Sequence, residues 1–324
     1  VKLVTITDPY NYSRYTVARS YEALAGRLGW EHQPLEVGDV QARRIEPDSR
    51  PGVFVFETAL IKIGRMSVAE MRGYFPSCRA VALGGDTIWY MKGGDHHGRR
   101  DLLWDPANGM EFLSPYDCDL FLDLLDEVVE AYAAKGIRTD SWMWTTSGWM
   151  LDEMAARLAA GAPPKDRGFV ALFKLDCEGG PLRRDMLGTL EMAGLTGVKS
   201  GQVGWGLDEL FHAYARSELT VGTTSPSWTR VRTMKGFRDW MGPEVGSLLL
   251  YDDHPDVVRK FPCPLYPYGD HRALAELALS LRSGPERESW LKRQQEWANV
   301  IENQLYDALT KHGLVRREGD AHVV

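Results

Sequence analysis

A chain of 324 residues accommodates two domains at roughly 150 residues each. With 44% hydrophobic and 26% charged residues it has apolar surface enough for sizeable cores, which argues against general disorder. Lys plus Arg number 38 against 45 Asp plus Glu, and the resulting net charge of -7 disfavours a broad electrostatic grip on nucleic acid or an anionic membrane.

Val1 to Asp8 reads as a buried strand, and Ser13 to Trp30 as an amphipathic helix carrying Val17, Tyr21, Leu24 and Leu28 on one face. Val53 to Glu57 is a second apolar run, Val68 to Phe75 a helix, and Arg79 to Leu83 a strand that ends in Gly84, Gly85 and Asp86. Asp119 to Leu125 reads as a strand, Asp126 to Ala134 as a helix closed by Gly136, Ser141 to Thr145 as a strand and Ser147 to Ala160 as a helix. Gly161-Ala-Pro-Pro-Lys165 then breaks the pattern as a linker would.

A second alternating series follows. Its strands are Phe169 to Leu175, Val198 to Val203, Leu219 to Thr223, Ser247 to Tyr251 and Leu265 to Tyr268. Its helices are Leu182 to Met192, Leu207 to Ser217, Thr229 to Trp240, Asp256 to Lys260 and His271 to Leu281, with one long helix over Glu286 to Lys311. Such alternation predicts an α/β chain of two parallel, helix-covered sheets: an N-terminal domain over 1–162, a C-terminal domain over 166–285 and a terminal helical segment over 286–324. Ligands of open parallel sheets sit outside the carboxyl ends of the strands, so useful residues should follow strands.

The four cysteines, Cys78, Cys118, Cys177 and Cys263, form no Cys-x-x-Cys pair, and a reducing compartment is the simpler reading. Neither a secretory signal nor an apolar run of about 18 residues is visible, so the expected location is the cytoplasm, with no membrane span. The 11 tryptophans read first as core fillers.

The richest segment is Thr229-Arg-Val-Arg-Thr-Met-Lys-Gly-Phe-Arg-Asp-Trp240, which packs Arg230, Arg232, Lys235 and Arg238 into nine positions of an acidic protein and suits an anion such as phosphate. A solvated basic helix face is its alternative. Phe173 to Arg184 offers a strand, then Asp176-Cys-Glu-Gly-Gly-Pro181, then a helix opening on Arg183 and Arg184, where Gly179 allows close backbone approach to a diphosphate; a plain turn is the alternative.

Asp86, ending a strand beside Thr87, could accept a proton from an attacking hydroxyl or simply cap a turn, and Asp8 is a weaker candidate of the same kind. Lys92-Gly-Gly-Asp-His-His-Gly-Arg-Arg100 reads as a polar, acceptor-contacting loop that includes His96 and Arg99. Adjacent His96 and His97 point apart in extended chain, so no zinc site is expected there. Asp117-Cys-Asp119 matches a metal-binding Asp-x-Asp only superficially, because it runs into a strand, and Asp252-Asp-His254 reads as a helix cap. Hydrolase, metalloprotease and kinase signatures are absent from the sequence.

Taken together, Leu207 to Gly222, Lys235-Gly-Phe-Arg238, Gly246-Ser-Leu-Leu-Leu250, Asp252-Asp-His-Pro-Asp256 and Tyr268-Gly-Asp270 resemble the donor domain of GT-B type glycosyltransferases, closest in pattern to CgeB-like and group 1 enzymes. A fainter match in the N-terminal half runs over Gly85-Asp86, Tyr116 to Gly136 and Trp142 to Thr145. The family's Lys-Gly-Arg-x-Phe-Glu stands here as Lys-Gly-Phe-Arg-Asp-Trp, and Asp239 or Glu244 could replace its acid.

The resemblance implies two Rossmann-like domains facing across a cleft and sugar transfer from a nucleotide-diphosphate donor, a UDP-sugar being favoured, to an acceptor hydroxyl without a required metal or other cofactor. Lys235 and Arg238 would stabilise the departing diphosphate, with Gly179, Arg183, Ser225, Ser227, Arg230, Asp239, Glu244 and Asp252 on the donor. Asp8, Thr87, His96, Arg99 and Trp142 would meet the acceptor: a glycan, a natural product, a protein, or a hydroxymethylated base in phage DNA. Asp86 would be the base of an inverting reaction, whereas in a retaining one the donor phosphate would take the proton. The terminal helix would brace the first domain. A sugar-nucleotide epimerase and a non-catalytic sugar-nucleotide binding module are the rival functions.

Overall fold

Strands covered on both faces have to be apolar at nearly every position, and Gly52–Glu57 (GVFVFE) is buried at all of them. The computed structural model of the chain describes residues 1–7, 12–57, 66–84, 104–105, 110–111, 118–123, 126–142, 146–173, 175, 180–204, 206–226, 232–233, 240–297 and 300–315. It divides into two compact units, Val1–Met143 with Val300–Val324, and Trp144–Asn299.

In the first unit the chain runs β1 (Lys2–Thr7), α1 (Tyr12–Leu28), β2 (Glu31–Glu36), α2 (Val37–Gln41), β3 (Gly52–Glu57), α3 (Val68–Tyr74), β4 (Cys78–Leu83), short β5 (Trp104–Asp105) and β6 (Met110–Glu111), β7 (Leu120–Asp123), α4 (Asp126–Ala133) and β8 (Thr139–Ser141). Six strands make one parallel sheet in the order β2-β1-β3-β4-β7-β8. β2 escapes sequence reading because it is an edge strand: Leu35 alone in it is buried, and its Pro34 is tolerated only where a ladder bond can be spared. The strand expected at Ser141 to Thr145 lies earlier, at β8.

The second unit runs α5 (Gly148–Ala160), β9 (Arg167–Ala171), α6 (Gly180–Met192), β10 (Gly197–Lys199), α7 (Leu207–Ala215), β11 (Ser217–Val221), β12 (Ser225–Pro226), β13 (Arg232–Thr233), α8 (Met241–Glu244), β14 (Leu248–Asp252), α9 (Pro255–Lys260), β15 (Leu265–Tyr266), α10 (His271–Ser280) and α11 (Pro285–Trp297). Its parallel sheet has the order β10-β9-β11-β14-β15. On one face α6 and α10 cover Phe169, Leu219, Val221 and Leu250 with Met186, Leu190 and Leu274. The helix expected over Thr229 to Trp240 is broken by β13, which pairs antiparallel with β12.

Two boundaries differ from the sequence expectation. The division between the units falls at Met143/Trp144, so α5 belongs to the second unit. Gly161 to Lys165 lies within that unit, and the Lys165 ammonium there donates to the Ala215, Ser217 and Val245 carbonyls at 3.1, 2.8 and 3.3 Å. The long helix expected over Glu286 to Lys311 is two helices, α11 and α12 (Ile301–Lys311), with Val300 extended as the N-cap of the latter.

The two helices serve different cores. In the second unit, Trp297 of α11 stacks on Trp240 at 5.0 Å. In the first unit, α12 packs on α1, where the Arg27 guanidinium lies 3.8 Å over the Tyr306 ring and donates to Asn303 at 3.0 Å. Asp140 of β8 accepts from Lys311 at 2.8 Å and from His312 at 3.0 Å. These two partners hold the Asp140 carboxyl below its usual range against the opposing effect of burial.

Because β15 is short, β14 would expose backbone at Leu249. The buried Gln294 amide of α11 closes that gap, accepting from Leu249 N at 3.0 Å and donating to Leu249 O at 2.8 Å, as a neighbouring strand would. Gln294→Leu is expected to lower the unfolding free energy by about 1–3 kcal/mol, measured by urea denaturation, because it strands a buried backbone donor.

Candidate functional site

In a sheet of order 2-1-3-4-5 the chain reverses direction of winding between its first and third strands, and ligands bind outside the carboxyl ends there. In the second unit these strands are β9 and β11. β9 leads through Phe173 to α6, whose first residue, Gly180, comes so near the preceding loop that a Cβ would lie 1.9 Å from the Leu175 carbonyl oxygen. Only glycine can open the helix at that distance. Arg184 donates to the same carbonyl at 2.9 Å. Arg183, in the first turn of α6, is only 6% exposed, and its guanidinium sits 5.1 Å from the Phe173 ring centroid. The edge thus combines a helix N-terminus, where backbone N–H groups and the dipole favour anions, with a cation held beside it.

The turn after β11 is fixed from beneath. One oxygen of the fully buried Asp252 carboxylate accepts from Thr223 Oγ1 at 2.9 Å, Thr224 N at 2.7 Å and Thr224 Oγ1 at 2.8 Å. The Tyr266 hydroxyl donates to Gly222 O at 2.9 Å, and Gly222 N donates to Leu250 O at 2.9 Å. This brace delivers the chain directly into β12, which begins at Ser225.

In the first unit the corresponding reversal lies between β1 and β3. β1 pairs with β2 as far as Thr7, and β3 with β4 as far as Glu57, but the pairing of β1 with β3 stops at Thr5 and Val55. The β1–β3 ladder thus ends two residues short of the last residue of either strand. Thr7 and Glu57 end those strands, Glu57 at 7% exposure. Tyr21 of α1 is 2% exposed; burial, and secondarily the Glu57 charge, push its phenol well above the usual tyrosine range. Asp123 ends β7 on the same edge and is also buried.

The structure sorts the sequence candidates unevenly. Arg183 and the backbone of Ser225 do lie at the carboxyl edge of the second sheet. Asp252 is corrected from a donor contact, and from a helix cap, to a brace of the Gly222–Thr224 turn, because its carboxylate is buried beneath that turn. Glu244 is corrected as well. It precedes Val245, whose carbonyl shares Lys165 with that of Ser217, the first residue of β11, so it belongs to the amino edge, a strand length from the site. Burial, and then the Asp152 carboxylate, raise its carboxyl above the usual range.

Trp142 is corrected from an acceptor contact to a core residue, because at 2% exposure its indole has no open face. Asp119 accepts from Arg72 at 2.8 Å, Arg79 at 3.3 Å and Ala80 N at 2.7 Å, which commits it to structure at the amino edge of β7. Asp8, Asp86, Thr87, His96, Arg99, Gly179, Ser227, Arg230, Lys235, Arg238 and Asp239 lie outside the described residues.

Sequence reading missed Glu57, Asp123, Thr223, Thr224 and Tyr266. A polar residue closing an apolar run, as in GVFVFE and LFLD, was the available signal for the first two. Among the described residues, no group of three or more His, Cys, Asp or Glu side chains gathers as a metal site, and no helix is long and apolar enough to cross a membrane.

No family model matches the chain, nor does any curated protein, so the narrower CgeB-like and group 1 resemblance has no match behind it. Solved structures do match. The chain is similar to OtsA in its apo form, with a TM-score of 0.54 and 10% identity over 97% of this chain and 99% of that one. It is also similar to an alpha-glucosyltransferase, AGT, in complex with UDP, with a TM-score of 0.51 and 7% identity over 95% of each chain. At such identities the likeness is one of fold: this chain has the two-Rossmann GT-B fold.

Asp252→Ala removes three buried hydrogen bonds at once. It should lower stability by about 2–4 kcal/mol in chemical denaturation. It should also speed hydrogen exchange at the Thr224 amide selectively over that of Leu249, with Asp252→Asn intermediate.

Proposed function

We propose that this chain of GT-B fold is a glycosyltransferase that takes its sugar from a nucleoside diphosphate donor, a UDP-sugar being favoured, and passes it to an acceptor hydroxyl. The observation that carries this reading is the carboxyl edge of the second sheet, where the α6 N-terminus, the buried cation of Arg183 and the braced turn at Thr223–Thr224 adjoin the winding reversal. A diphosphate matches that combination because its charge meets N–H groups that need no reorganisation. The UDP complex of the structurally similar AGT supports the choice of nucleotide.

In the proposed reaction the acceptor oxygen forms a bond to the anomeric carbon as the sugar–phosphate bond breaks. The bonding pair leaves on the diphosphate, so negative charge grows where Arg183 and the helix dipole already act, with Lys235 and Arg238 assigned to the same task. Fixed cations in this role make a divalent metal unnecessary. Asp86, which follows β4, is assigned the acceptor proton in an inverting reaction.

A thermal-shift series tests the donor assignment. UDP and a UDP-sugar are expected to raise the melting midpoint, as any ligand of the folded state does, by roughly 2.7 kcal/mol of apparent stability at a hundredfold excess over Kd. Arg183→Ala should weaken UDP binding roughly tenfold or more, the usual worth of a charge-assisted bond. Midpoints unmoved by UDP, GDP and their sugars would remove the donor site. UDP release that continues in EDTA and depends on an added acceptor separates transfer from both an epimerase and a binding module, whereas EDTA-sensitive release would refute metal independence.

A further inference from the structure

Asp252 and Tyr266 are register partners in the β14–β15 ladder, and each closes its strand as a buried residue. Both reach the turn after β11, with opposite hydrogen-bonding roles. Asp252 accepts from Thr224 N and the two threonine hydroxyls, whereas the Tyr266 hydroxyl donates to Gly222 O at 2.9 Å. β14 stands between β11 and β15, so the phenol spans two strand spacings, about 9–10 Å, to make that bond. A phenylalanine would fill the same core volume; what tyrosine adds is the hydroxyl at the far end of the ring.

That hydroxyl has a second neighbour. Met186 Sδ of α6 lies 3.6 Å from the same oxygen, and Met186 shares one core with Phe173, Val221 and Tyr266. Met186 follows Arg183 by three residues, so about one turn of α6 separates the sulfur contact from the cation. One phenol thus touches both parts of the candidate donor edge: the β11 turn through Gly222 and α6 through Met186. Stabilising a growing charge depends on groups that are already in place, and a turn and a helix carried on separate segments keep their spacing only if something joins them.

We propose that Tyr266 is a positioning residue of the donor site, whose hydroxyl holds the Gly222–Thr224 turn and α6 at one spacing and thereby sets the geometry in which Arg183 meets a diphosphate. This deepens the glycosyltransferase reading, on which it rests for the diphosphate as ligand. Tyr266 is assigned no contact with that ligand. It acts from the core, through the turn and the helix.

Calorimetric titration of UDP into the full chain, well below the melting midpoint, tests the assignment. Tyr266→Phe removes the hydroxyl and keeps the ring. It should weaken UDP binding about three- to tenfold, a loss that a residue serving stability alone would not produce, because the variant is folded at that temperature. In an Arg183→Ala background the same substitution should cost about twofold or less, since residues that act through one another are not additive. Met186→Leu conserves volume and removes the sulfur. It should weaken UDP binding about two- to threefold, and it stands in if Tyr266→Phe does not fold by circular dichroism.

Unchanged UDP affinity in Tyr266→Phe, or in Met186→Leu where that is the variant measured, would reduce Tyr266 to a core residue and overturn the proposal. An equal loss in the intact and Arg183→Ala backgrounds would overturn it as well. Both results leave the donor reading standing, because the intact protein still binds UDP. If the intact protein does not bind UDP, the donor reading falls and this assignment falls with it.

Discussion

A parallel sheet buried on both faces leaves its polar backbone and any functional chemistry only one outlet, the ends of its strands. Both units of this protein obey that constraint. Every residue of β1, β3 and β14 is buried, so side chains along the strands are committed to the cores. Among the described residues, the buried carboxylates, Glu57, Asp123 and Asp252, stand at the last position of their strands.

Asp252 shows one use of that position. One oxygen of Asp252 takes three donors from one turn, so the residue serves as scaffold, and its removal would disturb a neighbour rather than a ligand directly. Glu57 stands two residues beyond the point where the β1–β3 ladder ends, and its charge adds to burial in raising the Tyr21 phenol.

The helices show how packing overrides local pattern. From Glu286 to Lys311 the sequence reads as one helix, yet Trp297 stacks within the second unit and Ile301 is buried in the first. Each helix is held by the core it covers, and the backbone turns extended at Val300 to let them separate. Gln294 illustrates the opposite case, a polar residue on a helix whose amide completes a strand edge, a role invisible to any hydrophobic pattern.

Alternating apolar runs and amphipathic helices, with glycines and prolines between them, determined by themselves that this is a two-part α/β protein, because the periods 2 and 3.6 are local properties of the chain. They also placed Arg183 and Ser225 after strands, at an edge suited to a ligand. Tertiary structure alone decided that the first sheet has β2 at its edge, and that Glu244 and Asp119 belong to amino edges and Trp142 to a core. Those facts depend on which distant segments lie side by side, and a side chain's partners across the fold leave no trace in its immediate sequence.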